Sequence, residues 1–84
     1  MQKFELVVIQ DEVELTADNI NFGLELRRLN GDREGKECSV CRVDRYTPGF
    51  VVRYRDGAAT RCRYYSNFVI LAGQQVRMPV AKKQ

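Results

Sequence analysis

The chain predicts a mainly β fold, a small single-domain antiparallel sandwich or partly open barrel. Three observations point to it: short apolar runs rich in β-branched residues, stretches in which apolar and polar residues alternate, and Gly-bearing turns that separate them at close spacing. About eight such stretches fit the sequence. The alternative is an α+β fold with a helix over about 16–29.

Lys3 to Ile9 is the first apolar run and Glu12 to Thr16 alternates, so both read as strands joined by Gln10-Asp11. Asn19 to Arg27 decides between the two fold classes. Its apolar residues Ile20, Phe22, Leu24 and Leu26 recur with period two, whereas a helix capped by Thr16 would have to carry Gly23 at a cost of roughly 1 kcal/mol. The spacing therefore favours a strand. Asn30 to Lys36 is a loop by composition.

Three strands follow closely, over Glu37 to Tyr46, Phe50 to Arg55 and Ala59 to Tyr65. Pro48-Gly49 suits a two-residue type II turn between the first two, and Asp56-Gly57 separates the second and third. Asn67 to Leu71, an Ala72-Gly73 turn and Gln75 to Met78 complete the series. Residues 1–79 form one compact domain and 80–84 a flexible tail.

Side chains alternate across a strand, so the parity of the Asp56-Gly57 turn decides where the arginines fall. A two-residue loop mixes Arg and apolar residues on both faces. A three-residue loop through Asp56, Gly57 and Ala58 places Arg53 opposite Arg61 and Val51 opposite Arg63, and it separates them. One face then holds Val51, Arg53, Arg55, Arg61, Arg63 and Tyr65, and the other Phe50, Val52, Tyr54, Thr60, Cys62 and Tyr64. The Pro48-Gly49 turn extends the pattern, with Asp44 opposite Arg53, Arg42 opposite Arg55, and Tyr46 beside Val51.

Such a face crowds like charges across strands and needs a counter-charge. Three sources present themselves: nucleic acid, the acidic side chains Glu12, Glu14, Glu25 and Glu37 of the same chain, or an acidic protein. The charge is split along the chain, with five basic and nine acidic residues over 1–37 and nine basic and two acidic over 38–84. Between residues 37 and 81 every basic side chain is Arg. Arg presents a planar donor fork to phosphate, and tyrosines between arginines stack on unpaired bases. The expected function is a non-enzymatic protein that binds RNA or single-stranded nucleic acid through Arg42, Tyr46, Arg53, Arg55, Arg61, Arg63 and Tyr65. The other reading is an interaction module, a small inhibitor or adaptor, which meets an acidic protein or self-associates as a homodimer through its unlike halves.

Other chemistry is sparse. The chain has three cysteines and no histidine, so Cys38, Cys41 and Cys62 fall short of a structural zinc set and read as reduced thiols, with Cys41 and Cys62 on the apolar face. Without histidine there is no ordinary Ser-His or Cys-His pair, and no phosphate-binding glycine loop is present. No enzyme activity, cofactor or metal is expected. The apolar run Leu6 to Ile9 is too short for a signal-peptide core or a membrane span, so the expected compartment is the cytoplasm and no membrane partner is expected.

Overall fold

The computed structural model describes residues 3–44 and 46–79; the expected tail over 80–84 lies outside the described residues. Its strands, in chain order, are β1 (Phe4–Val8), β2 (Val13–Glu14), β3 (Glu25–Arg28), β4 (Glu37–Val43), β5 (Phe50–Tyr54), β6 (Ala59–Cys62), β7 (Phe68–Ile70) and β8 (Gln75–Pro79). β2-β7-β3-β4-β5-β6 form a six-stranded sheet, and β1 and β8 pair as a separate two-stranded one. All pairings are antiparallel. The molecule is mainly β, as its sequence predicts, with two sheets that do not close into a barrel.

Alternation along the six-stranded sheet places Leu26, Cys38, Val40, Phe50, Val52, Tyr54, Cys62, Phe68 and Ile70 on one buried face. Ile9, Leu15, Ile20, Leu24 and Val76 join them from the loops and from β8. Phe50 meets the edge of the Phe68 ring, with centroids 5.5 Å apart. Each large side chain so buried contributes about 1.5–3 kcal/mol.

The segment that decided the fold class is neither a long strand nor a helix. Thr16 Oγ1 accepts the Asp18 and Asn19 N–H groups, and the Ile20 N–H reaches the Thr16 carbonyl, which makes one turn. Asn19 is buried and ties the turn down, donating to the Glu14 carbonyl and accepting from the Thr16 N–H. At Gly23 the backbone takes φ +88°, and the strand begins only at Glu25. Ile20 and Leu24 are buried while Phe22 points outward.

The β5–β6 hairpin has the expected parity but not the expected loop. The Tyr54 N–H donates to Ala58 O and the Gly57 N–H to Tyr54 O, so the three loop residues are Arg55, Asp56 and Gly57. Gly57 takes the left-handed conformation, with φ +93°. Arg53 therefore pairs with Ala59 and Val51 with Arg61, two residues from the expected partners. A shift of two conserves the faces. It also removes the direct Arg53–Arg61 opposition.

The β4–β5 connection departs further. The Asp44 N–H donates to Gly49 O, so the connection is longer than Pro48-Gly49 alone. Arg42 pairs with Val51 and Ser39 with Arg53, in place of the expected Arg42–Arg55 and Asp44–Arg53 pairs. The register shifts between Val40 and Arg42, leaving Cys41 as the extra residue of a bulge. That residue reverses the alternation, so Cys38 is buried and Cys41 is only half-buried. Thr60 and Tyr64, expected inside, are exposed: Thr60 lies on the edge strand β6, and Tyr64 follows the end of that strand at Cys62.

Candidate nucleic-acid interface

The outer face of the meander carries its own counter-ions. Arg55 Nη2 donates to Glu25 Oε1 at 3.0 Å and to Glu37 Oε1 at 2.9 Å. Arg61 and Arg42 share Asp44, at 2.6 and 3.2 Å. Arg27 is paired with Glu12. The alignment of β3 beside β4 brings Glu25 and Glu37 to this face, since they alternate with buried Leu26 and Cys38. The acidic first half of the chain thus covers part of the arginine face. Glu14 makes no ion pair among the described residues. Exposed pairs of this kind are worth roughly 0–1 kcal/mol each, so they neutralise charge more than they add stability.

The remaining site residues scatter. Arg53 donates to the Gly57 carbonyl at 3.1 Å, and Arg63 has no carboxylate partner among the described residues. Tyr46 is 97% exposed. Tyr65 leaves the arginine face altogether: it opens a 3₁₀ turn (Tyr65–Asn67), and its ring stacks on Phe50 at 5.0 Å, packed against the core.

The spatial arrangement brings together a different set. Beside the open edge of β6 lies a depression of about 280 Å³ lined by Arg28, Thr60, Arg61, Arg63, Tyr64 and Asn67, with no carboxylate in its lining. Arg61 also lines a second depression, with Asp44, Tyr46 and Thr47. Asp44 and Tyr46 pass on to a third, of about 710 Å³, where they meet Asn21, Phe22 and Arg77. The three adjoin through these shared walls. Along them stand three exposed aromatic side chains: Tyr64 at 68%, Tyr46 at 97% and Phe22 at 72%.

Arg28 anchors the β6 end. Its guanidinium lies over the Phe68 ring, 5.0 Å from the centroid, and donates to the Asn30 carbonyl and side chain. A longer contact of 3.5 Å reaches the Tyr54 hydroxyl. At the other end Arg77 Nε donates to the Asp18 carbonyl at 2.9 Å, and its guanidinium lies over Phe4. A separate depression beside Tyr54 has balanced charge, being lined by Asp32, Glu37 and Asp56 as well as Arg33, Lys36 and Arg55. There Arg33 stacks on Tyr54 and pairs with Asp56, whose carboxyl is held below its ordinary range by the Ala58 N–H first and by Arg33 second.

Arg28, Tyr64, Phe22 and Arg77 lie outside the set read from sequence. Phe22 and Tyr64 look like core residues in a period-two pattern, and only the turn at Gly23 and the early end of β6 expose them. Among the described residues no three His, Cys, Asp or Glu side chains are grouped to hold a metal ion, and no helix is long and apolar enough to cross a membrane. Compared with protein families, characterised proteins and solved structures, the chain matches none.

Proposed function

We propose that the protein binds single-stranded nucleic acid along the track from the β6 edge to the loop at Phe22. The supporting observation is the alternation of three exposed aromatics, Tyr64, Tyr46 and Phe22, with Arg63, Arg61 and Arg77 on adjoining depressions. Single-strand binders combine a basic groove for the phosphates with aromatic platforms for the bases, each stacked base worth about 1–3 kcal/mol. Arg28, Arg63 and Arg77 take phosphates in this reading. Arg61 serves after exchanging Asp44 for a phosphate oxygen, an exchange that gives up only a surface ion pair. An acidic protein would also meet arginines and aromatics; the placing of single aromatics between arginines favours bases stacked between phosphate contacts.

Fluorescence anisotropy with a labelled oligo-uridine or oligo-thymidine at low salt tests the proposal. Contact with about four phosphates gives a log–log slope of affinity against salt near −3 for a single strand. Tyr46→Ala, which removes a side chain outside the core, should weaken binding roughly tenfold. Arg63→Glu should weaken it further and flatten the slope. Arg55→Ala, at a position held by two carboxylates away from the track, should change affinity little. Absence of binding at low salt, or binding indifferent to both Tyr46→Ala and Arg63→Glu, removes the reading.

A further inference from the structure

The arginines of this molecule are neutralised unequally. Arg27, Arg33, Arg42, Arg55 and Arg61 each meet a carboxylate. Arg28 is half-buried and meets none among the described residues. Its Nε donates to the Asn30 carbonyl and side chain, and its Nη1 makes long contacts to the Tyr54 hydroxyl at 3.5 Å and to Cys62 Sγ at 3.9 Å, all neutral partners. A guanidinium cannot shed its charge, and withdrawing it from water without an opposite charge is costly. The position calls for an anion.

The depression in front of Arg28 supplies the rest of a seat. Arg61 and Arg63 line it beside Arg28, and no carboxylate does. Asn67 lines it too, and its Oδ1 accepts from Asn30 Nδ2 at 2.8 Å, which leaves its own Nδ2 to donate. Because Asn30 also holds Arg28, the guanidinium and the amide are fixed in one network before any ligand arrives. The seat stands at an end of the track: it shares Arg61 with the depression at Tyr46 and no residue with the one at Phe22.

We infer that this seat takes the terminal phosphomonoester of a single strand, so that the protein recognises a phosphorylated end together with the strand that leads from it. A phosphodiester within a strand brings a single charge and must leave the seat on both sides. A terminal monoester carries about −1.5 to −2 with three acceptor oxygens, and its strand leaves on one side only. Arg28 and Arg63, neither with a carboxylate among the described residues, match that charge, and each can offer a planar fork to the oxygens. Tyr64, 68% exposed beside them, is placed to stack the terminal base. The exposed aromatics that lead away from the seat, Tyr64 and then Tyr46, favour a nucleotide chain over a phosphorylated protein segment, because every nucleotide brings a base along with its phosphate. This inference rests on the single-strand reading and gives the track a starting point.

Anisotropy of internally labelled oligo-thymidines that end in a 5′-phosphate, in a 3′-phosphate or in hydroxyls tests it. One phosphorylated end, and not both, should bind about tenfold tighter than the hydroxyl-ended strand. Asn67→Asp keeps the acceptor for Asn30 but puts a negative charge in the seat, and it should erase that preference. Arg63→Ala should reduce it, as should Arg28→Lys, which keeps the charge and loses the fork. Arg77→Ala, at the far end of the track, should weaken all three strands and leave the preference as it was. If hydroxyl-ended strands bind and neither phosphate adds affinity, the inference is overturned and the single-strand reading stands. An equal gain at both ends also overturns it, since added charge alone would then suffice, and so does a phosphoserine peptide that binds as tightly as the phosphorylated strand. If no strand binds at low salt, the inference falls with the reading it rests on.

Discussion

At the level of single residues, Cys38, Cys62 and Tyr54 share a buried corner with Arg28. Burial pushes the Cys38 thiol from its ordinary 9.0 up to about 12, with Cys62 adding to the shift and Arg28 opposing it. Burial likewise raises Cys62 and Tyr54 against the pull of Arg28. The thiolate is the reactive form, so Cys38 and Cys62 are shielded nucleophiles and Cys41, half-buried at its bulge, is the accessible one. A thiol-specific disulfide reagent at about pH 8 should titrate Cys41 promptly and the other two only as fast as the protein unfolds. Prompt release of two or three equivalents would contradict this. A group whose folded pKa is raised holds its proton after the unfolded chain has released it. Its contribution to stability is therefore complete below pH 9 and is lost as pH climbs toward 12. The urea midpoint should fall between about pH 8 and pH 11, and fall less in Cys38→Ala.

At the level of elements, the turn entering β5 has the tightest backbone. Gly49 has φ +145°, and a Cβ there would lie 2.8 Å from Arg61 Nη2 and 3.0 Å from the Cys62 carbonyl. Gly49→Ala should cost about 1–3 kcal/mol from strained backbone and from contact with a fixed carbonyl. Gly57→Ala, at φ +93° with open space around it, should cost less. Equal losses in chemical denaturation would mean that the contact with β6 is unimportant. The strands themselves were legible because alternation marks them, and the parity of the β5–β6 hairpin was legible because only one parity collects Phe50, Val52, Tyr54 and Cys62. The exact partners were not, since a slide of two residues leaves each face unchanged. Nothing local announces the bulge at Cys41. The period-two pattern from Ile20 to Leu26 is equally compatible with a chain that turns at Gly23, and that turn decides whether Phe22 is core or platform. Arg and Tyr could be recognised as the binding chemistry, but which arginines meet carboxylates depends on β3 lying beside β4, a pairing between distant segments.

For the whole molecule, the covering of Arg55 by Glu25 and Glu37 means that the formal charge of +3 is distributed, not concentrated on the meander. Glu25→Gln with Glu37→Gln leaves the track untouched and makes the chain more positive. Stopped-flow mixing with a single-stranded oligonucleotide at low salt should then show faster association and an unchanged dissociation rate, because the added field acts at a distance. A changed dissociation rate would place those carboxylates in the contact itself. The pairing of β1 with β8 has a consequence in time as well as in space. Phe4 faces Pro79 across that ribbon, so β1 finds its place only after residue 79 has been made. Contacts between such distant segments must meet the entropy of closing the loop between them before they reward it. During synthesis, therefore, Leu6, Val7 and Val8 wait as an unpaired apolar segment while the six-stranded sheet assembles. On a message read by several ribosomes at once, that exposed segment is where neighbouring nascent chains are most prone to associate.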